Sequence, residues 1–179
     1  MFKKFSKSEN VKGATLLKSS VQRSIRSKVL ELYPVIEQHI DCIFPKKCSL
    51  SLIKCDDKIS IVSVDENLFF FCQHDGAFIP TLRLIHKYPN LLKRQQVDRG
   101  AIRFILSGAN IMCPGLTSSG ACLSDAQVGD IVSIYAEGKE HALAVGIMLM
   151  PTLEIKAKNK GVAVETLHYL NDGLWRFNL

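Results

Sequence analysis

The stretch VDRGAIRFILSGANIMCPGLTSSGA, residues 97–121, decides the fold of the second half of this chain, because its glycines fall where a backbone must turn or approach a neighbour closely. Its apolar spacing predicts a short helix over residues 100–107. The helix is expected to end at Gly108, where a left-handed conformation costs glycine no side-chain clash. A strand should then begin near Asn110, and Cys113-Pro114-Gly115 is predicted to form a turn.

The predicted helix has one apolar face. That face consists of Ala101, Ile102, Ile105 and Leu106. Arg103 lies opposite this face, and Phe104 falls outside it. Two interpretations stay open at this point. The segment is either a buried helix with Phe104 covered by a neighbouring segment, or a platform of helix and glycine on which an RNA backbone rests.

The positive charge of the chain is concentrated at its N-terminal end. The 179 residues carry a formal net charge of +6. Within residues 1–30 the only acid is Glu9, against the cations Lys3, Lys4, Lys7, Lys12, Lys18, Arg23, Arg26 and Lys28. A local excess of this kind attracts polyanions such as RNA, DNA or an acidic lipid surface, although a basic face that only maintains solubility is the alternative.

Residues 13–33 are predicted to form an amphipathic helix. Its apolar stripe consists of Leu17, Val21, Ile25 and Leu32. Arg23 and Arg26 lie on the opposite side. These two arginines are therefore candidate contacts for the phosphates of RNA.

Residues 50–72 change to the spacing of strands, with a three-stranded meander predicted over residues 50–55, 59–64 and 68–72. Alternation along a strand should turn at least one ring of Phe69-Phe70-Phe71 away from the buried face, where either a second layer or a partner must cover it. Phe70 and Phe104 are therefore our candidates for contacts with a protein partner.

The chain is expected to contain two domains, residues 1–91 and residues 92–179. A helix over residues 81–87 should close the first domain, and residues 91–96 are interpreted as a polar connection. Closed β structure is predicted for the second, with strands near residues 110–113, 131–136, 143–150 and 162–169. The fold class is thus α+β, with a mixed N-terminal domain on a small antiparallel sheet.

Several function classes find little support in the sequence. No phosphate-binding loop of the GxxxxGK[ST] type occurs, and the six cysteines lack the paired short spacing of a zinc site. Nothing places a base beside Cys113, so a catalytic cysteine is not expected. We predict a protein that is not an enzyme, with no metal, no cofactor, no small-molecule substrate and no membrane span, located in the cytoplasm.

Further sequence motifs in the second domain are similar to those of a known domain family. They are Gly129-Asp130-Ile131-Val132, residues 144–148, residues 160–164 and residues 168–175. Together with residues 97–121 they resemble a PUA domain, a small RNA-binding pseudo-barrel. With the opening MFKKF, residues 80–84 and SGANIMCPGLTS, nearly the whole chain resembles the malignant T-cell amplified sequence family of translation factors.

The resemblance implies where RNA would bind. It assigns contacts to Arg103 and to the backbone at Gly108. Nearby contacts would come from Arg99, Ser107, Asn110 and Gly115. Tyr135, Tyr169 and Trp175 are further candidates for stacking on a base, with a lid on the barrel core as the favoured alternative for Trp175.

The resemblance also implies a non-catalytic role in translation. With a partner, the density-regulated protein, such a chain would bind rRNA of the small ribosomal subunit and tRNA, and would support re-initiation and recycling after termination. Two alternatives are a ribosome-biogenesis factor that binds pre-rRNA, and an accessory subunit of an RNA-modifying enzyme.

Overall fold

The computed structural model describes all residues from Met1 to Leu179. Its contacts divide the chain into an N-terminal unit, residues 6–84 and 177–179, and a C-terminal unit, residues 1–5 and 85–176. Each unit is built on one five-stranded sheet with helices, which confirms the α+β class. The predicted division in sequence after residue 91 stays a prediction.

The N-terminal unit contains the predicted meander within a larger sheet. Its elements are α1 Lys7–Asn10, β1 Val11–Leu16, α2 Ser19–Leu32, a 3-10 helix Pro34–His39, α3 Ile40–Ile43, β2 Leu50–Cys55, a 3-10 turn Asp56–Lys58, β3 Ile59–Val64, β4 Asn67–Gln73, β5 Ile79–Pro80 and α4 Leu82–Lys87, whose last residues belong to the other unit. The strand order is β1-β2-β3-β4-β5, with every pair antiparallel. The three predicted strands are confirmed, and β1 and β5 extend the sheet at its two edges.

The helix predicted over residues 13–33 is shorter than expected. Residues Val11–Leu16 form a strand that pairs with β2, and the helix begins only at Ser19. Five of the six β1 residues are exposed, so this strand lacks the alternation that would have identified it. The buried face of α2 is also rotated from the predicted stripe: Ile25 and Val29 are buried, whereas Val21 and Leu32 are 43% and 44% exposed.

The rings of Phe69-Phe70-Phe71 are covered by the chain itself, so of the two expected covers the second layer is present and the use of Phe70 as a partner contact is wrong. All three phenylalanines are buried, and Phe70 is wholly inaccessible. Its ring stacks on that of Phe44 with centroids 5.8 Å apart. The Phe44 ring covers one face of the sheet at this point, so Phe70 belongs to the core and offers no surface to a partner.

The C-terminal unit has the pseudo-barrel form that the resemblance implies, although its sheet is a half-barrel and is not closed as predicted. Its elements are β6 Lys93–Val97, a 3-10 turn Arg99–Ala101, α5 Ile102–Ile105, β7 Ile111–Met112, α6 Cys113–Thr117, β8 Ile131–Ala136, β9 Ala144–Met148, α7 Thr152–Lys158, β10 Val162–Tyr169 and α8 Gly173–Arg176. The strand order is β6-β8-β9-β10-β7, so β6 and β7 form its edges. Only the β6–β8 pair is parallel.

The core of this unit lies between the sheet and its helices. Ile105, Leu116 and Ile155 come from α5, α6 and α7, and they pack with buried strand residues such as Val132 and Met148. The predicted turn at Cys113-Pro114-Gly115 is the start of α6 instead. Proline is well tolerated in the first turn of a helix, because its missing N–H has no partner there.

Candidate nucleic-acid interface

A groove of about 680 Å³ opens beside α5 and β7 in the C-terminal unit. We call it the α5 groove. Its lining residues are Asp98, Gly100, Ala101, Arg103, Phe104, Ile105, Ala109, Asn110, Ile111, Met112 and Gly115. Arg103, Asn110 and Gly115 from the predicted RNA site are among them, together with the proposed partner contact Phe104. The volume lies within the range of ligand pockets in proteins.

Asp98 fixes the entrance to α5. One of its carboxylate oxygens accepts a hydrogen bond from the Ala101 N–H at 3.1 Å, and its own N–H donates to the Gly115 carbonyl at 3.1 Å. The carboxylate therefore caps the first helical turn, while the backbone ties that turn to α6. A Cβ on Gly100 would lie 2.9 Å from the same carboxylate oxygen, so a side chain at this position would displace the capping group.

Arg103 and Phe104 form the exposed part of the α5 groove. The Arg103 guanidinium carbon lies 4.7 Å from the centroid of the Phe104 ring, within the range of a cation–π contact. The Phe104 side chain is 52% exposed, and Met112 across the groove is 48% exposed. A cation beside two exposed apolar side chains suits a ligand that combines negative charge with a flat apolar part, as a nucleotide does.

Asn110 connects the α5 groove to β10. Its side-chain oxygen accepts a hydrogen bond from the Thr166 N–H at 3.0 Å, and the Thr166 hydroxyl donates to the Ala109 carbonyl at 2.9 Å. These bonds hold the segment between α5 and β7 in place. Asn110 is therefore first a structural residue, which also lines the groove.

Three residues of the predicted RNA site do not line the α5 groove. The Ser107 hydroxyl donates to the Phe104 carbonyl at 2.7 Å, within the last turn of the helix. Gly108 has the predicted left-handed conformation, with φ of 83°, and lies against Tyr169. The Arg99 guanidinium approaches Gly138 instead. One of its nitrogens lies 3.1 Å from the position that a Cβ on Gly138 would take.

Two of the three rings proposed for base stacking are buried. Tyr135 is 2% exposed, and the Arg94 guanidinium carbon lies 3.9 Å from its ring centroid. Burial raises the pKa of the Tyr135 phenol, and the nearby Arg94 opposes that shift. Tyr169 is 6% exposed. The prediction that RNA bases stack on these two tyrosines is therefore wrong.

The sequence reasoning missed Met112 as a residue of the α5 groove. Ile111 is buried and Met112 is exposed, so the two residues of β7 follow the ordinary alternation of a strand. That alternation could have identified Met112 as an accessible side chain.

The two arginines predicted on α2 differ in their surroundings. Arg26 donates one hydrogen bond to the Phe44 carbonyl at 3.0 Å and forms an ion pair of 2.6 Å with Asp41. The hydrogen bond that Arg26 donates to Asp41, together with the positive charge of Arg26, lowers the pKa of the Asp41 carboxyl. Arg23 is exposed. Only Arg23 is therefore presented to solvent in the way the sequence suggested.

Two protein families match the chain, and each of the two sheets lies within one matched range. Residues 5–89 match the Pre-PUA-like domain family, and residues 93–170 match the PUA domain family. A Drosophila melanogaster protein, the malignant T-cell-amplified sequence 1 homolog, is 55% identical over 177 residues, which cover 98% of this chain and 97% of that protein. The chain belongs to the malignant T-cell-amplified sequence family.

Other members of this family show similar identity. Human malignant T-cell-amplified sequence 2 is 53% identical over 175 residues, covering 98% of this chain and 97% of that protein. Translation machinery-associated protein 20 of Eremothecium gossypii is 54% identical over 182 residues, covering 100% of this chain and 99% of that protein. The resemblance drawn from the sequence motifs is thus confirmed.

Solved structures show the same fold. A hypothetical protein of Pyrococcus horikoshii OT3 superposes with a TM-score of 0.75 at 24% identity, covering 93% of this chain and all of that chain. A PUA domain protein of Aeropyrum pernix K1 gives a TM-score of 0.68 at 25% identity, covering 91% of this chain and 89% of that chain.

Two further observations concern the whole chain. None of its helices combines the length and the apolar character that crossing a bilayer requires. No group of three or more His, Cys, Asp or Glu side chains is placed to hold a metal ion.

Proposed function

We propose that this protein is a non-catalytic translation factor that binds RNA. The observation that carries the proposal is the α5 groove, in which Arg103 lies beside the exposed side chains of Phe104 and Met112 within a PUA domain. An arginine supplies a charged donor for phosphate, and the exposed side chains supply a surface for a base or a sugar. The name of the Eremothecium gossypii relative, translation machinery-associated protein 20, points to the same process.

The RNA ligands proposed are tRNA and the rRNA of the small ribosomal subunit. The α5 groove is assigned to the tRNA, and the basic residues of the N-terminal unit, Arg23 above all, are assigned to rRNA. Binding of both in the cytoplasm would place tRNA on the subunit during re-initiation and would assist recycling after termination. The chemistry requires only binding energy, because charged contacts and stacking position the ligands.

A density-regulated protein is the proposed partner. Phe104 is the remaining candidate contact on this chain, since Phe70 is buried in the core. Because Phe104 also lines the α5 groove, a partner that covers its ring would change the access of RNA to the groove. Binding of partner and binding of tRNA are therefore expected to influence each other.

Sedimentation of the tagged protein from native lysate tests this proposal. We expect recovery with mature small subunits, together with tRNA and a density-regulated protein, and loss of the RNA at high salt. Recovery only with precursors of the ribosome would instead support the biogenesis alternative and would contradict a role in re-initiation.

A further inference from the structure

A second cavity of about 340 Å³ lies in the N-terminal unit, between the first turns of α2 and the segment that enters β2. We call it the α2 pocket. Three cations line it, Arg23, Arg26 and Lys46. Its floor is formed by two apolar residues that are almost fully buried, Phe44 at 3% exposure and Leu50 at 1%.

Arg26 is held in a fixed position in the α2 pocket. Its guanidinium donates to the Phe44 carbonyl at 3.0 Å and pairs with Asp41 at 2.6 Å. A guanidinium carries five N–H donors, so these two contacts orient the group without using all of its donors. An anion that enters the pocket would meet a donor whose side-chain entropy is already restricted.

The ion pair with Asp41 balances the charge of Arg26, whereas Arg23 and Lys46 form no ion pair and leave the pocket with a net positive charge. Asp41 does not line it, and the side chain of Asp65 accepts a hydrogen bond from the Ser49 N–H at 2.8 Å. The Gln22 side chain, which lines the pocket, donates to the Leu17 carbonyl at 2.7 Å and is thereby fixed. Three cations around a concave apolar floor, with no acid in the lining, match the chemistry of a phosphate group: arginine binds it through paired donors, and lysine binds it as a point charge.

We propose that the α2 pocket binds one phosphate group of an RNA backbone, through Arg23 and Lys46 with Arg26 as a fixed third donor. The identity of the phosphate as part of RNA rests on the function proposed above. The binding of phosphate itself does not, because the pocket would accept the same group on a small molecule. Lys46 is the new residue in this assignment, since its position in the sequence gave no reason to select it over Lys47.

Inorganic phosphate is the first probe. Backbone amide chemical shifts of the full chain are recorded by NMR during a titration with phosphate, and with chloride at equal ionic strength as the control. We expect phosphate alone to shift Ser19, Gln22, Arg23 and Lys46 together. The absence of such shifts, or shifts spread over all basic segments of the protein, would overturn the pocket.

The second probe is a single-stranded RNA of about a dozen nucleotides, with Lys46→Gln compared with Lys47→Gln. Both lysines are exposed and adjacent, but only Lys46 lines the pocket. Lys46→Gln should reduce the slope of log affinity against log salt by about 0.7, the contribution of one phosphate contact, whereas Lys47→Gln should not. Equal effects of the two substitutions would contradict the pocket.

The two probes distinguish this inference from the proposed function. If the protein binds RNA but phosphate causes no chemical-shift changes in the α2 pocket, the pocket is not a phosphate site, and the proposed RNA binding is unaffected. Shifts with inorganic phosphate in a protein that binds no RNA would support a phosphate site for a small molecule and would contradict the RNA assignment.

Discussion

A Cβ placed on Gly108 would lie 2.9 Å from a ring carbon and from the hydroxyl oxygen of Tyr169. The backbone that follows α5 therefore lies against Tyr169, the last residue of β10. The two are closer than a residue with a side chain at position 108 would permit. The Phe104 carbonyl accepts hydrogen bonds from the N–H groups of Ser107 and Ala109 and from the Ser107 hydroxyl, on either side of Gly108. The contact at Gly108 therefore also sets the position of the α5 groove.

The first prediction concerns Gly108→Ala. The substitution adds a methyl group to a backbone with φ of 83° and pushes it into the Tyr169 ring, so the free energy of unfolding should fall by roughly 2–4 kcal/mol. Gly129→Ala is the matched control, because Gly129 has φ of 88° and nothing within 4 Å of the added Cβ. Chemical denaturation measures both. If the two variants lose the same stability, the contact with Tyr169 has no energetic role.

The second prediction concerns the buried carboxylate of Asp172. It accepts hydrogen bonds from the backbone N–H groups of Tyr169 and Trp175, at 3.0 and 2.8 Å, and lies 2.8 Å from the His168 imidazole. Asp172→Ala leaves all of these groups without that acceptor in a buried site, so stability should fall by about 3–5 kcal/mol. Asp125→Ala, at an exposed position, should change stability by less than about 0.5 kcal/mol. A small effect of Asp172→Ala in thermal unfolding would contradict this account.

The third prediction separates the two phenylalanines that the sequence offered as partner contacts. Phe70→Ala removes a fully buried ring and should destabilise the protein by about 3–5 kcal/mol. Phe104→Ala removes a half-exposed ring and should change stability by less than about 1 kcal/mol. Binding of the density-regulated protein, measured by titration calorimetry, should nevertheless be lost with Phe104→Asp. Undiminished binding would remove Phe104 from the partner interface.

The fourth prediction concerns pH. Burial lowers the pKa of His86, whose ring nitrogen lies 2.9 Å from the Ala142 carbonyl and whose ring contacts His141. The unfolded chain, with an ordinary histidine pKa of about 6.5, therefore binds the proton more readily than the folded protein. The free energy of unfolding should fall as the pH drops below the histidine pKa of the unfolded chain. It should level off once the pH is below the His86 pKa of the folded protein.

Replacing the histidine tests this dependence. His86→Gln should flatten the decline of unfolding free energy that begins as the pH falls below the unfolded histidine pKa of about 6.5 and continues to the lowered folded pKa. His74→Asn, at an exposed site, serves as the control and should leave the decline unchanged. An identical pH profile for wild type and His86→Gln would show that His86 does not contribute to it.

The sequence predicted the parts of the fold whose pattern is local. The meander β2–β4 shows clear strand spacing with polar turns, and Gly108 marks a helix end by its position. β1 was missed because nearly all of its side chains face solvent, and a helical pattern could be extended back over it. Exposure on both faces leaves no periodicity for a sequence to show.

The strand β6 was missed for a different reason. Its sequence, KRQQV, is polar, yet Gln95 is fully buried. The Gln95 side chain donates to the Ser124 carbonyl at 2.8 Å and accepts from the Ser124 N–H at 3.0 Å. A buried polar side chain is acceptable when both of its groups are paired, but the partner is distant in sequence and only the fold reveals it.

The candidate site was predictable in part. Residues 97–121 pointed to the right segment, because family resemblance and glycine spacing converge there. They did not distinguish the side chains that line the α5 groove, such as Arg103, from those that serve neighbouring turns, such as Arg99. That distinction depends on where the 3-10 turn and α5 direct each side chain.

The most direct test of the central claim compares these two arginines. The affinity of the full chain for tRNA should be measured by fluorescence anisotropy at several salt concentrations, for wild type, Arg103→Gln and Arg99→Gln. Loss of a charged hydrogen bond of about 1.5–3 kcal/mol predicts that Arg103→Gln binds at least about tenfold more weakly, with Arg99→Gln close to wild type. Equal affinities for wild type and Arg103→Gln would contradict the assignment of the α5 groove to RNA.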